Sequence, residues 1–214
     1  IPQEANVDEA PLAPRQLTAA GGEAYRTLRT TLTAGQSAGQ VILVTGSGSS
    51  EGKSTTAVNL AASIALSGKR VVLLEADLRK PALGAALGAA PQHGGVVGVL
   101  LENTGLADAL TQTEPYGSNL QLLLADYEGG WIAELFSIPA AARMIEEARQ
   151  TADYVIVDSP PLNEVVDALP LAQLADSVLI VAKLGNTRLD KLTQLGELLA
   201  ENGIRPAGFA VVGV

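Results

Sequence analysis

Three short stretches hold the residues able to do chemistry. The first is "VTGSGSSEGKST", residues 44–55. Glycines at 46, 48 and 52 free the backbone to turn its N–H groups inward, and an N–H-lined hollow at a helix start attracts phosphate. Lys53 can reach outer phosphates and the Ser54 hydroxyl can face Mg²⁺; Gly48, Ser49, Ser50, Glu51, Gly52, Lys53, Ser54 and Thr55 form the candidate nucleotide loop. The usual spacing, G-x-x-x-x-G-K-[ST], calls for glycine at 47, where this chain has Ser47. The second stretch is "VVLLEADLRKP", with Glu75 and Asp77 two residues apart. Read as strand residues they share one side, where paired carboxylates suit Mg²⁺ ligation and acceptance of a hydroxyl proton. The third is "YVIVDSPP", four apolar residues leading into Asp158, a Walker B pattern that supports the water shell of a metal. Arg79 and Lys80 either orient the second-stretch acids or stand exposed; the sequence does not separate the two.

These stretches need a scaffold that brings three strand ends together. Apolar, β-branched runs ("QVILVTG", "KRVVLLEAD", "NLQLLLA", "DYVIVDSPP", "DSVLIVAKL", "AGFAVVGV") alternate with helical stretches. The helix "GKSTTAVNLAASIALSG" ends at a glycine, "IPAAARMIEEARQTA" opens with Pro139, and "VDALPLAQLA" is expected to break at Pro170. "GVVGVLLEN" and "LADAL" read as short helices. Strands separated by helices, and apolar throughout, give an α/β fold: a doubly wound, mostly parallel sheet flanked by helices. Ligands on such sheets sit beyond the C-terminal strand ends, where all three stretches fall. Residues 1–20, with three prolines, read as a linker or extended arm, and 21–214 as the catalytic domain.

Composition removes several function classes. The formal charge of −9 disfavours nucleic acid as a partner, and the absence of cysteine excludes disulfides and thiolate metal sites. His93, the single histidine, sits in the loop-like "APQHGGVVG" and is expected to be solvated. Trp131 and Phe136 have helical spacing and suit a core or docking edge better than base stacking. No apolar run reaches the ~18 residues of a membrane span. The start at Ile1 and the proline-containing arm fit the cytoplasmic piece of a longer, membrane-anchored protein.

Taken together, "GSGSSEGKST", "LLEADLRKP" and "YVIVDSPP" resemble the Walker A, A′ and B motifs of the bacterial tyrosine kinases that control capsular and exopolysaccharide export, over roughly residues 20–214. "EAYRTLRT" matches that family's E-x-x-R-x-x-R element at Glu23, Arg26 and Arg29. By spacing alone those three make a solvated helix face; the resemblance makes them an interface of a ring-like homo-oligomer. It implies a P-loop NTPase fold, ATP and Mg²⁺ as cofactors, and catalysis by Lys53, Glu75, Asp77 and Asp158. Ser54, Asp77 and Asp158 organise Mg²⁺, and an acid of the A′ stretch accepts the proton of a tyrosine hydroxyl. It also implies a transmembrane activator segment, fused or separate, a tyrosine-bearing tail from a neighbouring subunit, and a place at the cytoplasmic face of the plasma membrane.

The chain departs from the family pattern at Glu75, where aspartate is usual, and at Val212, where asparagine is frequent. Its four tyrosines, Tyr25, Tyr116, Tyr127 and Tyr154, form no cluster, and Tyr154 reads as core. The MinD/ParA type of ATPase shares the three motifs but carries a lysine five residues before the loop lysine, where this chain has Gly48. A regulator that binds nucleotide only to control assembly is the remaining alternative; phosphotransfer to tyrosine separates it from a kinase.

Overall fold

The computed structural model describes residues 1–2, 19–35, 38–113, 117–126, 134–137 and 139–213. A seven-stranded sheet runs in the order β3-β4-β2-β5-β1-β6-β7. Its strands are β1 (Gln40–Gly46), β2 (Val71–Glu75), β3 (Thr111–Thr113), β4 (Gly117–Leu123), β5 (Tyr154–Asp158), β6 (Ser177–Lys183) and β7 (Pro206–Val212). All neighbours are parallel except β3 and β4. β3 is a three-residue antiparallel edge that the apolar pattern does not announce: its residues are Thr, Gln and Thr.

Alternation along each strand divides the core. Val41 and Leu43 of β1, Val155 and Val157 of β5, and Val178 and Ile180 of β6 pack on one face with Met144, Leu171, Leu195 and Leu199. Ile42, Val44, Ile156, Leu179 and Val181 pack on the other with Leu60, Ile64 and Leu32. The second face carries α1 (Ala19–Thr33) and α2 (Lys53–Ala65). The first carries α4 (Gly95–Leu100), α5 (Leu106–Ala109), α6 (Pro139–Thr151), α7 (Leu169–Leu174) and α8 (Leu189–Glu201), whereas the short α3 (Leu83–Leu87) follows β2 and places Leu83 on the second face. Both faces are covered, which explains why β1, β2 and β5 are buried at every residue.

Several expectations meet a different outcome. Pro170 does not interrupt a helix. A 3₁₀ turn over Val166–Ala168 hands directly to α7, with Pro170 in its first turn, where its missing N–H costs nothing. The expected strand through Asp77 ends at Glu75. Helix α1 begins at Ala19, two residues inside the expected linker, and Ile1 lies along the end of β7, donating to Val211 O at 2.6 Å and accepting from Gly213 N at 3.0 Å. Tyr154 is buried, as expected, and so is Tyr25 in α1. Phe136 is core; Trp131, Tyr116 and Tyr127 lie outside the described residues. His93 is exposed, with Nδ1 2.8 Å from Asp108 O. Among the described residues no helix is long and apolar enough to cross a membrane.

Candidate nucleotide and phosphoryl-transfer site

β1 and β5 are adjacent, and so are β2 and β5, with Glu75 in register with Asp158. The three chemical stretches therefore leave the sheet side by side. The loop after β1 runs from Ser47 to Gly52, and α2 starts at Lys53. Gly52 turns left-handed at φ 90°, which allows the abrupt entry into α2 and needs no side-chain cap. The missing glycine at 47 is explained by its neighbour. A Cβ on Gly46 would lie 2.5 Å from Glu51 Oε2 and 3.0 Å from Val181 O, so position 46 is the one that requires glycine. Ser50, by contrast, holds φ 60° with a side chain.

Lys53 is 8% exposed, and its Nζ donates to Gly48 O at 2.7 Å. Burial lowers its pKa, offset by the negative charges of Asp158, Glu51, Asp77 and Glu164. An ammonium held in this way inside a loop is a charge prepared for phosphate. Asp158 is 2% exposed. Burial pushes its carboxyl up to about 7; the Ser54 hydroxyl and the Lys53 charge favour the anion, while Glu75 and Asp77 oppose ionisation. Asp158 Oδ1 has no hydrogen-bond partner. A buried carboxylate oxygen without a donor is costly unless a cation or its water shell supplies what is missing.

That orphaned oxygen tests the fit of Mg²⁺. Ser54 is close enough to act on Asp158, and Asp77 on both Asp158 and Lys53. Among the described residues no group of three or more His, Cys, Asp or Glu could hold a metal unaided. This is the donor set expected for Mg²⁺, which takes one or two carboxylates and completes its shell with water and phosphate oxygens. The residues fit an ion that arrives with a nucleotide.

Glu75 behaves differently from Asp77. It is 1% exposed, and its carboxylate accepts three backbone N–H bonds: Ala82 at 2.6 Å and Leu83 at 2.7 Å on Oε1, and Ala125 at 3.0 Å on Oε2. It thus anchors the start of α3 and the segment after β4. The sequence reading set both acids on one side of a strand, but β2 stops at Glu75 and Asp77 sits in the following turn, where its Oδ1 accepts from Lys80 N at 3.1 Å. Asp77 is the partly exposed member of the pair. Arg79 and Lys80 are both exposed, and Arg79 forms an ion pair with Asp167 that ties the β2 exit to the segment after β5.

Two residues escape motif reading. Thr187, after β6, donates to Glu51 Oε1 at 2.7 Å. Glu164, after the Pro-Pro pair, is exposed, and its Oε1 would lie 3.8 Å from a Cβ on Gly48. Neither belongs to a spacing rule; each is delivered by the fold. In α1, Glu23 and Arg26 are exposed and pair with each other. Arg29 is turned inward, with its guanidinium donating to Ser63 O of α2 at 2.8 Å.

Comparison with known proteins agrees with this geometry. A family model described as an AAA domain matches residues 39–202. ExoP of Rhizobium meliloti, a succinoglycan biosynthesis transport protein, is 38% identical over 148 residues, 69% of this chain but only 19% of that protein. Tyrosine-protein kinase YwqD of Bacillus subtilis is 34% identical over 180 residues, covering 83% of this chain and 75% of the kinase. Among solved structures, the kinase domain of VpsO superposes with a TM-score of 0.82 at 27% identity over 90% of this chain and 94% of that one. The cell-division ATPase MinD of Pyrococcus furiosus shares the fold, with a TM-score of 0.67 at 20% identity over 81% of this chain and 71% of that one. The loop, the paired strand ends and these relatives place the chain in the AAA-domain group of phosphate-loop proteins, and within it in the family of bacterial tyrosine kinases of capsule and exopolysaccharide synthesis.

Proposed function

We propose that this chain is an ATP- and Mg²⁺-dependent protein-tyrosine kinase domain acting in polysaccharide polymerisation or export. The observation that carries the reading is the grouping of buried Lys53 and Asp158 with half-buried Ser54, with one Asp158 oxygen lacking a hydrogen-bond partner, at the C-terminal end of adjacent parallel strands. Backbone N–H groups of the loop and Lys53 hold the phosphates, and Lys53 follows the charge that develops on the transferred group. Ser54, Asp158 and Asp77 would hold Mg²⁺ or its water shell, and the ion would neutralise phosphate charge there. The γ-phosphoryl group moves from ADP oxygen to the tyrosine oxygen as the P–O bond to the β-phosphate breaks. The hydroxyl proton passes to a carboxylate, and Asp77 suits this role because Glu75 already serves three backbone amides. Glu75 then acts by positioning α3 and the A′ turn.

The same reading places the domain at the cytoplasmic face of the plasma membrane, beside an activator segment either fused or separate. Copies assemble through the exposed Glu23–Arg26 edge of α1 and present tyrosines to one another. Incubation with γ-labelled ATP and Mg²⁺, with and without a tyrosine-rich peptide, tests the reading. Phosphotyrosine that disappears in Lys53→Met and Asp77→Asn supports a kinase. Phosphate release without phosphotyrosine replaces it with an ATPase or an assembly switch.

A further inference from the structure

Glu51 belongs to the nucleotide loop by sequence, is 2% exposed, and its carboxylate is bound by the loop's own backbone. Oε2 accepts from Ser47 N at 2.8 Å and Gly48 N at 3.0 Å. Oε1 accepts from the Ser47 hydroxyl at 2.8 Å and the Thr187 hydroxyl at 2.7 Å. The Thr187 hydroxyl is fixed in turn: its oxygen accepts from Lys183 N at 2.8 Å, so its single proton is directed at Glu51. Backbone bonds from Asn186 N and Thr187 N to Lys183 O close the turn after β6. That turn lies next to the loop because β6 pairs with β1, with Val181 opposite Gly46.

We infer that Glu51 and Thr187 are a positioning pair that sets the nucleotide affinity of the loop by keeping the Glu51 carboxylate away from Lys53. The connection runs from Thr187 to Glu51 and through residue Gly48, whose N–H donates to Glu51 and whose carbonyl accepts from Lys53 Nζ. Lys53 and Glu51 carry opposite charges and act on one another in a buried setting. A carboxylate released from its hydroxyl donors would pair with the lysine and compete with phosphate for it. Thr187 therefore controls a site it does not belong to by motif. The inference rests on the nucleotide-binding reading above.

The test measures binding of Mg²⁺–ADP to the whole chain by calorimetry, beside KM and kcat for ATP. Thr187→Val removes the proton donor at nearly constant volume, and a lost hydrogen bond to a buried charge corresponds to a weakening on the order of tenfold. The expected result is that loss in ADP affinity and a matching rise in KM, with kcat at saturating ATP changed less than about twofold. Thr187→Ser, which keeps the hydroxyl, restores wild-type affinity, a recovery that simple packing at this position does not give. If Thr187→Val does not fold, Ser47→Ala removes the other hydroxyl donor from the same oxygen and is expected to weaken ADP in the same direction. Unchanged ADP affinity in whichever variant folds, or a Thr187→Ser protein as weak as Thr187→Val, overturns the inference. Wild-type protein that binds no ADP, like Lys53→Met, overturns the nucleotide reading itself.

Discussion

Replacing Glu75 by aspartate, the residue usual in the family, separates two accounts of this position. If Glu75 is a displaced catalytic acid, aspartate restores the family arrangement. The structure requires the opposite. The Glu75 carboxylate spans from α3 to the segment after β4, meeting Ala82 N and Leu83 N through one oxygen and Ala125 N through the other. Removing a methylene withdraws the carboxylate by about 1.5 Å, a C–C bond length. Contacts of 2.6 and 2.7 Å to Ala82 and Leu83 and of 3.0 Å to Ala125 then cannot all persist. A buried N–H left without its charged acceptor costs about 1–3 kcal/mol, so loss of one or two gives roughly 2–3 kcal/mol after relaxation. For a domain of this size that corresponds to a fall in Tm of about 4–12 °C. Glu75→Gln turns an amide donor toward at least one backbone N–H and destabilises by a similar amount. Thermal unfolding followed by circular dichroism is the assay, with phosphotyrosine formation measured well below each Tm. Glu75→Asp with unchanged or raised Tm and faster transfer refutes the positioning role and returns Glu75 to the catalytic set.

Other outcomes follow from the same geometry. Asp158 has a folded-state carboxyl raised to about 7, against 3.8 in the unfolded chain, so the folded protein retains a proton that the unfolded chain releases. The Asp158 contribution to stability without nucleotide is therefore full below about pH 4 and is lost as pH rises to about 7, by roughly 4 kcal/mol at most; a pH series of Tm values in which Asp158→Asn keeps the wild-type slope would disprove it. Ser50→Gly relieves a left-handed side-chain residue at φ 60° and is expected to raise stability by about 0.5–1 kcal/mol, read as an increase in urea midpoint. If copies assemble through α1 as proposed, Arg26→Ala shifts that assembly to monomer in light scattering at unchanged Tm. Arg29→Ala, which frees Ser63 O of α2, is expected to lower Tm, and equal behaviour of the two variants would remove the distinction.

How much was legible in the sequence depended on whether the controlling interaction was local. The alternation of apolar strands and helices, the helix starting at Lys53 and the burial of Tyr154 are set by neighbours along the chain, and sequence alone determined them. The doubly wound sheet also followed, because strands apolar on both faces demand cover on both. The convergence of Lys53, Ser54 and Asp158 was legible for the same reason: each terminates or follows a parallel strand, and parallel strands end at one edge. What only the tertiary structure decided are contacts between residues far apart in the chain. Edge strand β3 has no apolar signal and exists by pairing with β4. Pro170 begins a helix because the preceding 3₁₀ turn supplies its entry. The divergence of Glu75 from Asp77 depends on where β2 stops and on the amides of α3. Gly46, not position 47, is the constrained glycine because Glu51 lies against it, and Glu51 lies there because Thr187, 136 positions away, holds it. A motif fixes which groups the loop offers; the packing behind it fixes which of them remain free for a phosphate.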